Sequence, residues 1–169
     1  MGDVKESIEK AVEYLSANPA DARYTDSLAT AKLGESLRVE VEGPNGERIV
    51  TDMPEGIGGT GENPSPGWLF RAALASCVAT TIGMEAAREG IELSSLEVEV
   101  DSESDDRGIL GMDESVPAGP LSTSIRVRAS AADADDARLR EILETGAARC
   151  PVCDATKRPV DVRLELQTT

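Results

Sequence analysis

Apolar residues recur with two different periods along the chain, and the switches between them lay out its elements. Residues 4 to about 17 place Val4, Ile8, Ala11, Val12 and Leu15 on one helical face among Glu and Lys, and Asn18-Pro19 ends that helix. From Tyr24 to Met53 the period shortens to two. Leu37, Val39 and Val41 alternate with Arg38, Glu40 and Glu42, and Pro44-Asn45-Gly46 turns the chain into Glu47–Thr51. A further strand over Ala29–Leu33 precedes this hairpin, with Gly34 at the turn. One face of the pattern is expected to be buried and the other wet.

Glu55–Gly67 is rich in Gly and Pro and reads as a loop. It leads into a long helix, Trp68–Glu89, closed by Gly90 as a C-terminal cap. Small residues surround this helix, so burial on most sides is expected. A strand over Leu93–Ser102 follows, with Leu96, Val98 and Val100 on one face, and then an irregular stretch, Ser104–Pro120. Leu121–Ala129 alternates again. Asp133–Arg149 returns to the helical period with Leu139, Ile142 and Leu143, and Pro151 interrupts it. Val160–Leu166 reads as a last strand. The order α-β-β-β-α-β-β-α-β indicates an α+β class rather than a repeating βαβ array.

The length, 169 residues, suits one compact domain over 21–169, with residues 1–20 as an N-terminal helical extension. A net charge of −15 argues against nucleic acid as a partner, because a polyanion would be repelled. Only Tyr14, Tyr24, Trp68 and Phe70 are aromatic, so the core is built from Ala, Val, Leu and Ile. With no His in the chain, every mechanism with a histidine base or ligand is excluded. Lys is confined to positions 5, 10, 32 and 157. An acidic, Lys-poor surface fits a protein of very salty cytoplasm, and equally an ordinary acidic protein of a GC-rich genome.

The N-terminus shows no cationic segment followed by an apolar run. Trp68–Met84, the least polar stretch, is broken by Arg71 and reads as too short and too weakly apolar to span a bilayer. A cytoplasmic protein without a membrane partner is therefore expected. Three cysteines in that compartment point to thiol chemistry or burial, not a disulfide framework.

Cys77 lies mid-helix in an Ala-rich run, where a free Cys often serves only as a small buried hydrophobe. Cys150-Pro151-Val152-Cys153 is a CxxC at the end of the last helix. A helical turn restarting at Pro151 would put a helix N-terminus near Cys150, and so favour its thiolate. As a metal site the motif is only half complete. One remaining Cys and no His would leave Asp, Glu or a dimer partner to finish a tetrahedron, so neither metal nor cofactor is expected.

The run Ser65-Pro66-Gly67-Trp68-Leu69-Phe70-Arg71-Ala72-Ala73-Leu74-Ala75-Ser76-Cys77 resembles the helix entry of the family of osmotically induced protein C (OsmC) and organic hydroperoxide resistance protein (Ohr). Cys150-Pro151-Val152, 73 positions after Cys77, resembles that family's distal motif, and the strand order matches over roughly residues 24–168. The resemblance implies an OsmC-like fold, with two long helices packed on antiparallel sheets in an intertwined homodimer. It further implies a thiol peroxidase, in which Cys77 attacks a hydroperoxide and becomes a sulfenic acid, Cys150 condenses with it, and an external dithiol such as a lipoylated protein reduces the disulfide.

Two family helpers are missing. Gly67 stands where peroxidase members carry Glu, and Gly34 and Glu35 stand where they carry Arg. Arg38, Arg23 and Glu62 are the candidate substitutes. Cys153 is an alternative resolving thiol, a bystander, or a metal or intersubunit ligand. Arg71 is an interface or ion-pair residue or else a substrate clamp, and Ile109, Leu110 and Met112 line a channel or cap a dimer core. Organic hydroperoxide reduction leads these readings. A non-catalytic module for a small apolar ligand and a CxxC thiol–disulfide protein are the alternatives.

Overall fold

The computed structural model describes residues 2–168. Its elements run α1 (Gly2–Ala17), β1 (Thr30–Leu33), β2 (Val39–Glu42), β3 (Arg48–Thr51), α2 (Pro66–Glu89), β4 (Leu93–Glu103), α3 (Asp106–Ile109), β5 (Ser122–Ala131), α4 (Asp136–Ala148) and α5 (Pro151–Lys157). The class is α+β, as the pattern requires. The described residues divide between two compact units, one made of residues 2–5, 74–99 and 126–168, the other of Glu6–Ala73 with Val100–Ile125.

In the second of these units, β1, β2 and β3 form an antiparallel sheet in that order. Val39 is registered with Leu33 and Thr51, and Val41 with Ala31 and Ile49, so these residues share one face. The turn between β2 and β3 closes at Gly46, whose φ of +88° is the left-handed geometry that glycine tolerates. The expected buried face is only half realised. Val39 and Val41 are half-buried, while Leu33 remains 71% and Ile49 43% exposed. The face is covered at its Thr51 end, where Thr51 is buried, and left open at Leu33 and Ile49. Beyond β3, buried Asp52 holds the following loop. Its carboxylate accepts from the Thr60 hydroxyl at 2.5 Å and from the Met53 N–H at 2.7 Å.

Helix α2 starts where its sequence provides a cap. The Trp68 N–H donates to Ser65 Oγ at 3.1 Å, and Pro66 occupies the first turn, where its missing N–H costs nothing. At the other end Gly90 adopts φ +72°, and the Ile91 N–H donates to the Ala86 carbonyl at 2.9 Å. Helix α2 is 24 residues long, which corrects the expectation of a segment too short to cross a membrane: it is long and apolar enough by length and composition alone. Buried core helices meet the same criterion, and Leu74, Val78, Ile82 and Ala86 form such a buried stripe at i, i+4 spacing. Burial on most sides is corrected as well, since Trp68 is 51% and Met84 41% exposed. Small side chains permit close packing all round, but this chain supplies packing partners along one stripe.

Within the first unit α4 packs on α2. Ile142 is buried, and a Cβ at Gly146 would lie 2.6 Å from Ile82 Cα, so glycine is what allows the two backbones to approach. The Arg138 guanidinium bonds Glu89 near the start of α4, and Arg149 bonds Glu85 at its end. Strands β4 and β5 pair, with Ser95 facing Ser130, and Glu97 and Glu99 facing Arg126 and Arg128; the numbers fall on one strand as they rise on the other, so the pair is antiparallel. The expected last strand is absent. Residues 159–168 carry no strand, and Val162, Leu164 and Leu166 are each at least 79% exposed. An alternating pattern becomes a strand only when a neighbouring edge accepts it, and within the described residues none does.

Candidate active site

Three thiols converge where α2 meets the corner between α4 and α5. Cys77 sits on α2, three residues after Leu74 and one before Val78, and is half-buried. Cys150 is fully buried at the N-cap of α5, and its sulfur accepts the Cys153 N–H at 3.3 Å. The local sequence builds this corner. Pro151 cannot continue α4 because it lacks an N–H, yet it suits the first turn of a new helix, so the chain breaks at Cys150 and restarts. Cys153, one turn on, is 5% exposed.

The three sulfurs lie near enough to shift one another's ionisation. Burial pushes the Cys77 thiol up from its ordinary value, its hydrogen bond to Cys150 adds to the rise, and the Val152 N–H pulls the other way. Burial also opposes ionisation of Cys150, but donation from the Cys77 thiol, from the Cys153 N–H and thiol, and from the Val152 N–H more than offsets it. The Cys150 thiol therefore lies below its ordinary value. Burial, followed by donation to Cys150, holds Cys153 up at about 11. Of the three thiols Cys150 is the one eased toward its thiolate, and Cys77 is the more accessible sulfur.

Glu85 and Arg149 lie beside this cluster, and sequence reasoning missed both. Glu85 is 6% exposed on α2, and its carboxylate takes the guanidinium of Arg149, the residue immediately before Cys150, as well as that of Arg88 at 3.3 Å. This pair pins the α4–α5 corner to the helix that carries Cys77. A Glu on the apolar stripe of α2, two turns beyond Cys77, is the one signal that marked it.

The structure brings together Cys77, Cys150 and Cys153. Arg38 and Glu62 belong to the other unit. There Arg38 is paired with Glu40 at 2.7 Å, and Glu62 is an exposed loop residue whose N–H donates to Thr60 Oγ1 at 3.4 Å. In that same unit Arg71 donates to Ser102 Oγ at 3.2 Å and lines a cavity of about 340 Å³ with Met53, Ile57, Gly67, Ile109 and Leu110. Gly67 leaves room, since a Cβ there would lie 3.9 Å from an Arg71 guanidinium nitrogen.

With this geometry in hand, the sequence matches the model of OsmC-like proteins over residues 59–165. The chain belongs to the OsmC-like family. Solved structures share its fold. A putative osmotic stress induced and detoxification response protein of Psychrobacter arcticus 273-4 is 24% identical over 79% of this chain and 91% of its own, with a TM-score of 0.62. An OsmC-like protein of Mycoplasma pneumoniae is 17% identical over 80% and 89%, with a TM-score of 0.66. An organic hydroperoxide resistance protein of Bacillus subtilis is 23% identical over 85% and 98%, with a TM-score of 0.52. No curated protein matches the sequence significantly. The long helices and antiparallel sheets of this chain are those of OsmC-like structures.

Proposed function

We propose that this OsmC-like chain is a thiol peroxidase that reduces organic hydroperoxides. The reading is carried by the position of Cys77 on α2 beside buried Cys150 at the N-cap of α5, near enough that each thiol shifts the other's ionisation. Cys77 hands its proton to the Cys150 thiolate and attacks the distal peroxide oxygen. The O–O bond breaks, the alkoxide leaves and takes a proton from solvent, and Cys77 becomes a sulfenic acid. Cys150 then attacks the Cys77 sulfur, water departs with the Cys150 proton, and a disulfide closes. An external dithiol returns both sulfurs to thiols by exchange. The amides of Val152 and Cys153, with Cys150 as base, do here what the family Glu and Arg do elsewhere. Apolar Val78 and Leu74 beside Cys77 favour an organic peroxide over hydrogen peroxide.

The partners follow from the same reading. The uncovered apolar residues Leu33, Ile49, Val162, Leu164 and Leu166 support a homodimer, with a second copy supplying the edge that residues 159–168 lack. The reductant is a dithiol, and the compartment is the cytoplasm. One observation favours a second reading: the cavity beside Arg71 suits a small apolar ligand with a carboxylate, held without catalysis. The test is the rate at which reduced protein consumes cumene hydroperoxide and hydrogen peroxide, with and without Cys77→Ser. Faster consumption of the organic peroxide, lost in the variant, is expected. Equal, slow consumption by both proteins would leave the ligand-binding reading.

A further inference from the structure

The third thiol is not used by a two-cysteine cycle, yet it is built into the cluster. Cys153 is 5% exposed, occupies the first turn of α5, and donates its N–H to the Cys150 sulfur at 3.3 Å. Cys150 is thereby flanked by Cys77 on α2 and by Cys153 one helical turn away. A Cys at an N-cap and a Cys three residues later lie within the Cα separation of about 4 to 7 Å that a disulfide spans.

We propose that Cys153 is a relay thiol that moves the disulfide from Cys77–Cys150 to Cys150–Cys153 and returns Cys77 to the thiol form. The Cys153 sulfur attacks the Cys150 sulfur, the Cys77–Cys150 bond breaks, and the Cys77 thiolate leaves and takes up the proton that Cys153 gives up. The exchange is an isomerisation with no net oxidant or reductant, and the only oxidant in the sequence is the hydroperoxide that made the first disulfide. Attack goes to Cys150 because that is the sulfur Cys153 touches; Cys77 is near enough to be felt as charge but is not its hydrogen-bond partner. A high pKa keeps the relay slow beside the first step, and contact with the target compensates through proximity. The relay frees the accessible thiol for a second peroxide and stores the oxidation in the CxxC, where the external dithiol must reach it.

The inference rests on the peroxidase reading only for how the first disulfide arises, so the test supplies that disulfide in two ways. Reduced full-length protein receives one equivalent of cumene hydroperoxide, or of Ellman's reagent, which forms a mixed disulfide with an accessible thiol and needs no peroxide chemistry. Samples are acid-quenched over time, alkylated and digested with trypsin. Cleavage after Arg71, Arg88, Arg149 and Lys157 puts Cys77 in one peptide and both other cysteines in another. A cross-linked pair of peptides is expected first. It should then decay into a closed 150–157 peptide and an alkylated Cys77 peptide, and Cys153→Ser should prolong the cross-link by about tenfold or more. A cross-link that persists in the wild type, or a closed 150–157 peptide that never forms by either route, overturns the relay. If peroxide leaves all thiols intact while Ellman's reagent drives the relay, the peroxidase reading fails and the relay stands.

Discussion

The α2–α4 core and the β1–β3 sheet finish their apolar surfaces differently. Around α2 and α4, Leu74, Val78, Ile82, Ile142 and Cys150 are at most 2% exposed, and ion pairs from Glu85 and Glu89 tie the helices together. On the β1–β3 sheet, Leu33 and Ile49 share a face with buried Thr51 yet remain 71% and 43% exposed. Cys150 and Cys153 are buried beside this stripe, and Cys77 is half-buried. The exposed apolar residues of the sheet are among those that the proposed dimer would cover.

The largest effect expected from breaking the first region is chemical. Cys77→Ser should lower peroxide consumption by about a thousandfold, read as the initial rate with cumene hydroperoxide. Cys150→Ser should leave a dimedone-reactive sulfenic acid on Cys77 and form it more slowly, since the base is gone. The rate of this attack should also rise with pH. The Cys150 thiol is held below its ordinary value, so the cluster carries its negative charge from below the normal thiol range upward and loses it as pH falls through the lowered value. Cys153, at about 11, should be the last thiol to alkylate as pH is raised.

Packing gives the next contrast. Ile82→Ala should cost about 2 to 5 kcal/mol in denaturant unfolding, because Ile82 is fully buried against α4. Gly146→Ala should cost about 1 to 3 kcal/mol by forcing α4 away from the Ile82 backbone, and should slow disulfide closure with it. Leu33→Ala should change the unfolding of dilute protein by about 0.5 kcal/mol or less. If Leu33→Ala instead proves as costly as Ile82→Ala at every protein concentration, the contrast between the regions is wrong.

Much of this was legible in residue order. The cap at Gly90 ends α2, Pro44-Asn45-Gly46 marks the hairpin, and Pro151 marks the break that makes Cys150 an N-cap, because each acts through one or two local dihedrals; the start of α2 at Pro66 falls two residues before the expected Trp68. What escaped is long-range or conditional. Glu85 and Arg149 lie 64 residues apart, and neither has local chemistry that names the other. Residues 160–166 have a strand's pattern without a strand's partner. Ser36 and Leu37 adopt φ of +50° and +66° in the turn before β2, positions that Gly34, the glycine marking this turn, does not occupy. The three-thiol cluster itself was only half visible, because motifs placed Cys77 and Cys150 while the turn of α5 placed Cys153.

A modest effect is expected at the corner ion pair. Glu85→Gln removes the charge that holds half-exposed Arg149 and should cost about 1 kcal/mol, with slower bridging of Cys77 to Cys150. Unchanged bridging would mean that backbone packing alone positions Cys150.

The most direct test of the central claim is a count of free thiols after reduced protein meets one equivalent of cumene hydroperoxide, with the products mapped. The account predicts that two of the three thiols disappear within the mixing experiment, one alcohol forms per chain, and the first bridge joins Cys77 to Cys150. Three thiols still titrating after the peroxide has been given time to react would contradict it.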